Sequence, residues 1–198
     1  MHLEGSCHCG SIRFSVESAE CVPFMRCYCS ICRKTAGTGG YAINLGADHR
    51  TLKVRGKRHL RIYKATIVEG EHVRHSTGQR HFCGVCGSAL WMWDPAWPDL
   101  VHPHAGAIDT PLPQPPANVH SLLGSKASWV RVEGLEGDQC FVEFPDFSLK
   151  EWHQERGLES HVEPAETARK PKKPARTTAP GKTAKGKRAV PKAVSKVA

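Results

Sequence analysis

Seven cysteines in three short clusters constrain this chain more than any other feature of its 198 residues. A Cys-x-Cys pair on a strand points both sulfurs to one face, and a Cys-x-x-Cys pair brings them together around a tight turn, so each cluster can converge on one small cation. Zinc is the usual occupant of such soft sites and prefers four ligands in a tetrahedron. The clusters are Cys7-His-Cys9, Cys27-Tyr-Cys29-Ser-Ile-Cys32 and Cys83-Gly-Val-Cys86.

The number of sulfurs in the clusters predicts two metal sites of different character. The first and third clusters supply four ligands, enough to close a structural zinc site between the start and the middle of the domain. The second cluster supplies three ligands and leaves one coordination position open, which distinguishes a catalytic zinc from a structural one. We call Cys7, Cys9, Cys83 and Cys86 the four-cysteine set, and Cys27, Cys29 and Cys32 the three-cysteine set.

Two other interpretations of the clusters stay open at this point. Cys29 and Cys32 could pair with Cys83 and Cys86 in an ordinary zinc ribbon, which would leave the other three sulfurs unused. All seven could instead be reduced thiols without a metal. We expect the two-site partition because it uses every clustered sulfur.

Two cysteines lie outside the clusters. We expect Cys140, in an apolar segment, to be a small core residue, because free cysteine packs as a hydrophobe. Cys21 is an alternative fourth ligand for the three-cysteine set.

The odd total of nine cysteines and the lack of an apolar signal-peptide segment disfavour a secreted disulfide framework, so we expect a cytoplasmic protein. No apolar run approaches the ~20 residues that a membrane-spanning helix needs.

Short segments of alternating apolar and polar residues predict an all-β, or mainly β, domain. The segments that alternate cleanly are Ser11–Val16, Thr51–Arg55 and Trp129–Glu133. Less regular candidates for strands are Leu60–Lys64, Ser88–Trp93 and Cys140–Phe144. Glycine and proline occur between these segments, as is typical of many short strands joined by turns.

The remainder of the domain is predicted to contain long loops and one helix. Residues 94–127 hold seven prolines and show little periodicity, so we expect loops over the surface of a sheet there. Ser148 followed by Glu151 has the spacing of a capping box, and Trp152 falls on the inward side of the turn that follows. A short helix is therefore predicted over about residues 148–156.

The positive charge is concentrated at the end of the chain. Residues 1–163 hold 17 Lys and Arg against 18 Asp and Glu, whereas residues 164–198 hold 11 Lys and Arg against the single Glu166. The domain is therefore nearly neutral, and the formal net charge of +9 does not indicate a basic nucleic-acid-binding fold. The Lys/Ala/Pro-rich tail, with no aromatic residue, is expected to be disordered. It either binds nucleic acid non-specifically through counterion release or serves as a solvating appendage.

The residues that flank the cysteines match those of a known family. The motifs are Gly5-Ser-Cys7-His-Cys9-Gly10, Cys27-x-Cys29-Ser30-x-Cys32-Arg33, Phe82-Cys83-x-x-Cys86-Gly87-Ser88, Gly106-Ala-Ile-Asp109 and Asn118-Val-His120. In these motifs, over about residues 3–145, the chain resembles the glutathione-dependent formaldehyde-activating enzyme and centromere protein V family.

This resemblance implies a β-tent fold of small twisted sheets, two zinc ions partitioned as above, and a carbon–sulfur lyase activity. Glutathione or another thiol would bind at the open zinc as a thiolate and add to formaldehyde or another small carbonyl, or the adduct S-hydroxymethylglutathione would be cleaved. The three-cysteine set would then be catalytic, Arg33 or Arg13 would contact a carboxylate of the cosubstrate, and His120 would have a role in the site. One departure is Tyr28, where relatives often have a histidine that is not a ligand.

A second hypothesis comes from a different class of function. The chain could be a non-enzymatic zinc-binding module that presents a surface to a macromolecule and is anchored by the basic tail. The second metal site separates the two hypotheses. A three-sulfur zinc that lines a pocket favours the enzyme, and a zinc with four protein ligands and no adjacent cleft favours the module.

Overall fold

Eleven strands and two α-helices make up residues 1–158, the part of the chain that the computed structural model describes. Most of the strands have five residues or fewer. The strands are β1 (His2–Ser6), β2 (Arg13–Glu17), β3 (Phe24–Cys27), β4 (Ala42–Asn44), β5 (Ala47–Arg55), β6 (Leu60–Glu69), β7 (His72–Cys83), β8 (Ala89–Trp93), β9 (Leu100–Pro103), β10 (Asn118–Ser121) and β11 (Gln139–Cys140). The helices are α1 (Ser30–Ala36) and α2 (Leu149–Glu155).

Alternating apolar residues account for the first two strands. Leu3 and Gly5 of β1 and Phe14 and Val16 of β2 are buried, whereas the residues on either side of them are more exposed. The strands pair in an antiparallel register that sets Leu3 opposite Val16 and Gly5 opposite Phe14. Because the alternation has a period of two residues, one face of the strand pair lies against the core and the other faces solvent.

Seven strands form one antiparallel sheet, and four form a second, smaller sheet. The order in the large sheet is β1-β2-β5-β9-β8-β7-β6. The order in the small sheet is β11-β10-β3-β4, in which β10 runs parallel to β3 and to β11. The small sheet therefore pairs strands from distant parts of the sequence.

The large sheet is strongly curved. The rings of Phe14 on β2 and Trp91 on β8 have centroids 5.1 Å apart, although three strand spacings, about 14 Å in a flat sheet, separate the two strands. The curvature encloses the main core. The fully buried residues of this core include Leu3, Ile12, Leu45, Leu90 and Val101.

The small sheet and α2 share a second core around Trp152. This residue is fully buried in α2 and packs with Val119 of β10. Its indole N–H donates to Gln139 Oε1 of β11 at 2.9 Å. The helix begins at a complete capping box, in which Ser148 and Glu151 each accept the other's backbone N–H. α2 thus fixes the edge of the small sheet.

The expectation of a mainly β fold with one short helix near the end of the domain is confirmed. Four of the predicted strands correspond to β2, β5, β6 and β8, and α2 lies where the capping box predicts it. The second helix, α1, was not predicted. It has seven residues and begins inside the second cysteine cluster.

Two expectations about loops and strands are wrong. Residues 129–133 form no strand, because the chain turns at Trp129, where the Val130 N–H donates to the Ala127 carbonyl oxygen at 3.0 Å. Residues 94–127 are not all loop, because they contain β9 and β10. These two strands have four residues each, too few to show a periodic pattern.

The expectation for Cys140 is also wrong. Cys140 is exposed, because β11 is a two-residue strand at the edge of the small sheet. The predicted strand over residues 140–144 contributes only its first residue to a sheet.

None of the helices within residues 1–158 is long and apolar enough to cross a membrane. The predicted tail at residues 164–198 and its boundary with the domain lie outside the described residues.

Candidate metal centres

The four-cysteine set joins two turns of the curved sheet. Cys7 and Cys9 follow β1, Cys83 ends β7, and Cys86 lies in the turn to β8. All four sulfurs lie within 4.8 Å of one another, with 3.5 Å between the sulfurs of Cys7 and Cys9 and 3.8 Å between those of Cys9 and Cys83. A tetrahedron with zinc–sulfur bonds of about 2.3 Å has edges of about 3.8 Å, so the four thiols fit a closed site for this cation.

The surroundings of these four thiols favour the protonated thiol at one position and the thiolate at another. Cys7 is buried, and burial raises its pKa to about 11, although the Ile12 N–H donates to its sulfur at 3.2 Å. Cys86 is exposed, and its contact with the Ser88 hydroxyl lowers its pKa to about 5. Four thiolates at this spacing therefore require a cation to stabilise them together.

The three-cysteine set lies where β3 meets α1. Cys27 is the last residue of β3, Cys29 is the N-cap of α1, and Cys32 lies in its first turn. Cys29 Sγ accepts the N–H of Cys32 at 3.3 Å, so the same sulfur caps the helix. The three sulfurs lie within 4.8 Å of one another. Cys27 and Cys32 are buried, and Cys29 is half-buried, which leaves one side of the set accessible.

These three thiols cannot all ionise by themselves. Contacts with Cys29 and Cys32 raise the pKa of Cys27 strongly, whereas contacts with Cys27 and Cys32 lower the pKa of Cys29. One sulfur therefore takes the negative charge while a neighbour keeps its proton. A set of three soft thiolates requires a cation between them, and zinc suits this donor set.

The structure groups the cysteines as the two-site partition requires. Within residues 1–158, the groups of three or more potential metal ligands are these two sets. The zinc-ribbon alternative would need Cys29 and Cys32 beside Cys83 and Cys86, and the structure does not bring these four sulfurs into one group. Cys21 belongs to the second core instead of the three-cysteine set. Metal binding itself is a proposal, made below.

A buried chain of hydrogen bonds connects the three-cysteine set to the small sheet. The hydroxyl of Tyr28, between Cys27 and Cys29, lies 2.8 Å from His120 Nδ1, and His120 Nε2 lies 2.9 Å from Asp138 Oδ2. Tyr28 and His120 are 1% and 0% exposed. The predicted role of His120 in the site is therefore indirect, because the ring reaches the set through Tyr28.

The protonation of this chain follows from its contacts. Burial alone would raise the pKa of Asp138, but hydrogen bonds from Asn118, His120 and Leu135 hold it far below its ordinary range, so Asp138 is ionised at neutral pH. Burial raises the pKa of Tyr28 to about 12, so its hydroxyl keeps its proton. Because an ionised carboxylate only accepts hydrogen bonds, His120 Nε2 donates to Asp138, and the Tyr28 hydroxyl pairs with Nδ1 on the other side of the ring.

A cavity of about 380 Å³ lies beside α1 and the strands β6, β7 and β8. Thr35 of α1 lines it, three residues after Cys32 and therefore on the same face of the helix. The volume is within the range of small-molecule sites. Other lining residues include Tyr63, Arg80, His81, Phe82, Gly87 and His104.

Arg80 links the cavity to the three-cysteine set electrostatically. The contact with Cys27 lowers the pKa of Cys32, but the contact with Cys29 and burial outweigh it and raise this pKa to about 11. The positive charge of Arg80 opposes that rise and is weaker than these contacts and burial.

The two arginines predicted to contact a cosubstrate do not line this cavity. Arg33 follows Cys32 in α1, and its Nε is buried without a hydrogen-bond partner among the residues described. Arg13 lies on β2 and lines a separate cavity of about 240 Å³ with Lys53. Sequence reasoning missed Arg80 because an arginine in a strand belongs to no motif, and only the fold brings β7 beside α1.

Comparison with known proteins agrees with this geometry. Residues 2–122, more than half of the chain and including both cysteine sets, match the family model of the glutathione-dependent formaldehyde-activating enzyme. The chain belongs to this family.

The chain is also similar to two known proteins. A protein of Halomonas elongata that is named for the same enzyme is 58% identical to this family member over 159 residues, which is 80% of this chain and 99% of that protein. A Rhodobacter sphaeroides protein of known crystal structure is 27% identical and is matched over 56% of this chain and 91% of its own, with a TM-score of 0.43.

Replacement of Asp138 by asparagine should destabilise this family member by about 1–3 kcal/mol at pH 7, because it removes the charge that hydrogen bonds from three residues stabilise. The pKa of Asp138 is lower in the folded protein than in the unfolded chain, where it is near 4. The ionised carboxylate therefore stabilises the fold fully above about pH 4, and this stabilisation is lost as the pH falls below that value. The difference between wild type and variant in urea unfolding should therefore be the same at pH 7 and pH 5.

Glu133→Gln, an exposed change in the same loop, is the matched control and should leave the free energy of unfolding unchanged. A difference for Asp138→Asn that has already disappeared at pH 5 would contradict the assignment of a strongly depressed pKa.

Proposed function

We propose that this chain binds two zinc ions and forms or cleaves the adduct of a thiol with a small carbonyl compound. Glutathione and formaldehyde are the substrates that the name of the family gives, and S-hydroxymethylglutathione is their adduct. The three-cysteine set carries the proposal, because it combines three thiols, one accessible side and an adjacent cavity of about 380 Å³. A purely structural zinc would have four protein ligands.

The chain holds the three thiols rigidly and leaves a position for the sulfur of a substrate. Cys27 and Cys32 pack against Ala42 and Leu122, and the half-buried Cys29 marks the accessible side. A zinc ion held here would stabilise the thiolate form of a thiol cosubstrate near neutral pH. Three thiolate ligands leave the centre with one net negative charge, so it suits activation of a nucleophile better than polarisation of a carbonyl.

The proposed reaction needs no oxidant or reductant. The thiolate sulfur bonds to the carbonyl carbon of formaldehyde, the π electrons of the carbonyl move to its oxygen, and that oxygen takes up a proton. In the reverse direction the carbon–sulfur bond breaks, which is the lyase reaction. The protein's contribution is to hold both reactants in one cavity, which removes much of the entropic cost of bringing them together.

The four-cysteine set has a structural role in this proposal. Cys9 and Cys83 are 74 residues apart in sequence, and their sulfurs are 3.8 Å apart. A closed zinc site there would stabilise the curvature of the large sheet directly. A cytoplasmic location is part of the same proposal, since free thiols persist in a reducing compartment.

Replacement of Cys29 by serine should remove one of the two zinc ions and lower the rate of S-hydroxymethylglutathione formation by on the order of a hundredfold or more, because the weakened set no longer retains its metal. Zinc is measured on the purified protein, and the rate by exchange NMR with ¹³C-formaldehyde. Circular dichroism should be unchanged, since a serine hydroxyl can cap α1 in place of the Cys29 sulfur.

Cys140→Ser is the matched control, because Cys140 is exposed and belongs to neither set; it should retain both zinc ions and full activity. A Cys29→Ser variant with one zinc and an unchanged rate would place the reaction elsewhere. Wild-type protein with two zinc ions that accelerates adduct formation with no thiol of a panel would refute the enzymatic proposal.

Removal of zinc by a strong chelator should proceed in two steps. The three-cysteine set, with one accessible side, should lose its metal first and the fold should survive, whereas loss from the four-cysteine set should coincide with unfolding. Zinc release is followed with a colorimetric chelator and unfolding by circular dichroism in the same sample. A single release step that coincides with unfolding would contradict two sites of different character.

We also propose that the tail from Pro164 onward is dispensable for catalysis. The relative from Halomonas elongata supports this, because 159 matched residues cover 99% of its length and the family motifs end before residue 122. A chain that ends at residue 163 should keep both zinc ions and its rate of adduct formation. Loss of activity with zinc content intact would show that the domain boundary is misplaced.

A further inference from the structure

Arg80 is the only side chain with a permanent charge among the residues that line the cavity beside α1. The other lining side chains are aromatic, aliphatic, hydroxyl or imidazole groups. A guanidinium group has five N–H donors in a fixed plane and cannot lose its charge in a protein. The cavity therefore presents one strong site for an anionic group in otherwise neutral surroundings.

The donors of Arg80 are almost unused within the described part of the chain. Its one side-chain hydrogen bond there is a long contact of 3.4 Å from Nη1 to the Gly78 carbonyl oxygen, and no acidic side chain of residues 1–158 forms an ion pair with it. Arg74 on the same strand differs, because its Nη2 donates to Glu69 at 2.9 Å. A half-buried arginine without an acidic partner is suited to a ligand carboxylate.

Arg80 lies on the wall of the same cavity as α1, the helix that carries part of the three-cysteine set. Thr35 and Arg80 line the same cavity, and Thr35 lies on the face of α1 that carries Cys32. A ligand that pairs with Arg80 in the cavity thus lies beside the helix that carries Cys32.

We infer that Arg80 binds a carboxylate of the thiol cosubstrate and thereby selects anionic thiols over neutral ones. The inference deepens the proposed function and rests on it for the thiol. The carboxylate pairs with the guanidinium at one end of the cavity, which leaves the sulfur at the other end free to meet the three-cysteine set. A neutral thiol of similar reactivity lacks this contact and should bind more weakly.

The test compares Arg80→Gln and Arg80→Lys with Arg74→Gln, a matched loss of one exposed charge from the same strand. Each zinc-loaded protein is assayed with glutathione and with 2-mercaptoethanol, a thiol without a carboxylate. Arg80→Gln should raise the KM for glutathione about tenfold or more and change kcat little, while the KM for 2-mercaptoethanol stays constant. Arg80→Lys should be intermediate, since lysine keeps the charge and loses the paired geometry, and Arg74→Gln should match wild type.

Binding of S-methylglutathione, followed by calorimetry, separates this inference from the proposed function. This probe keeps both carboxylates and has no thiol to ionise. It should bind wild type and bind Arg80→Gln about tenfold more weakly or worse. Such a result without any catalysis of adduct formation would support the carboxylate site and refute the proposed reaction.

Three outcomes would overturn the inference. The first is no binding of S-methylglutathione to wild type. The second is an unchanged KM for glutathione in an Arg80→Gln protein whose zinc content and thermal unfolding match wild type. The third is an equal rise in KM for both thiols, which would mean that Arg80 acts on the charge of the metal centre and not on a carboxylate.

Discussion

The mutual repulsion of crowded thiolates is the constraint on which the rest of this structure depends. Two unit charges 4–5 Å apart repel by on the order of 3–4 kcal/mol at the effective dielectric of a protein surface, and each set contains several such pairs. The chain nevertheless brings seven sulfurs into two small groups. The sharp curvature of the large sheet, the turn at the start of α1 and the placement of the cavity all lie beside these groups. The fold thus places its thiols where they cannot all be ionised together unless a cation lies between them.

The parts of the structure that could be predicted are those that local spacing determines. The cysteine spacings were sufficient to group the thiols correctly, and alternation identified β2, whose Phe14 and Val16 face the core. The capping box at Ser148 located α2. The alternation and the capping box each occupy fewer than ten residues and do not depend on a distant partner, whereas the cysteine grouping follows from the number of sulfurs in each cluster.

The parts that could not be predicted depend on contacts between distant segments. All four residues of β10 are buried, yet three of them are polar, because Asn118 and His120 serve the hydrogen-bond network of Asp138. A short polar segment that follows Pro115 and Pro116 therefore resembles a loop. Helix α1 was missed because its N-cap is Cys29, which the spacing identified as a metal ligand only. Arg80 gains its importance solely from the packing of β7 beside α1.

The parallel pairing of β3 with β10 has a consequence for how the protein is made. Tyr28 and His120 are 92 residues apart, and Asp138 follows a further 18 residues on. Contacts of such long range form late, because closing a long loop costs entropy before any packing compensates for it. On the ribosome, the thiols of the second cluster emerge well before the strand that covers them has been synthesised. Until that strand arrives they are exposed to oxidants, so the yield of protein with intact thiols depends on the redox state of the cell during translation.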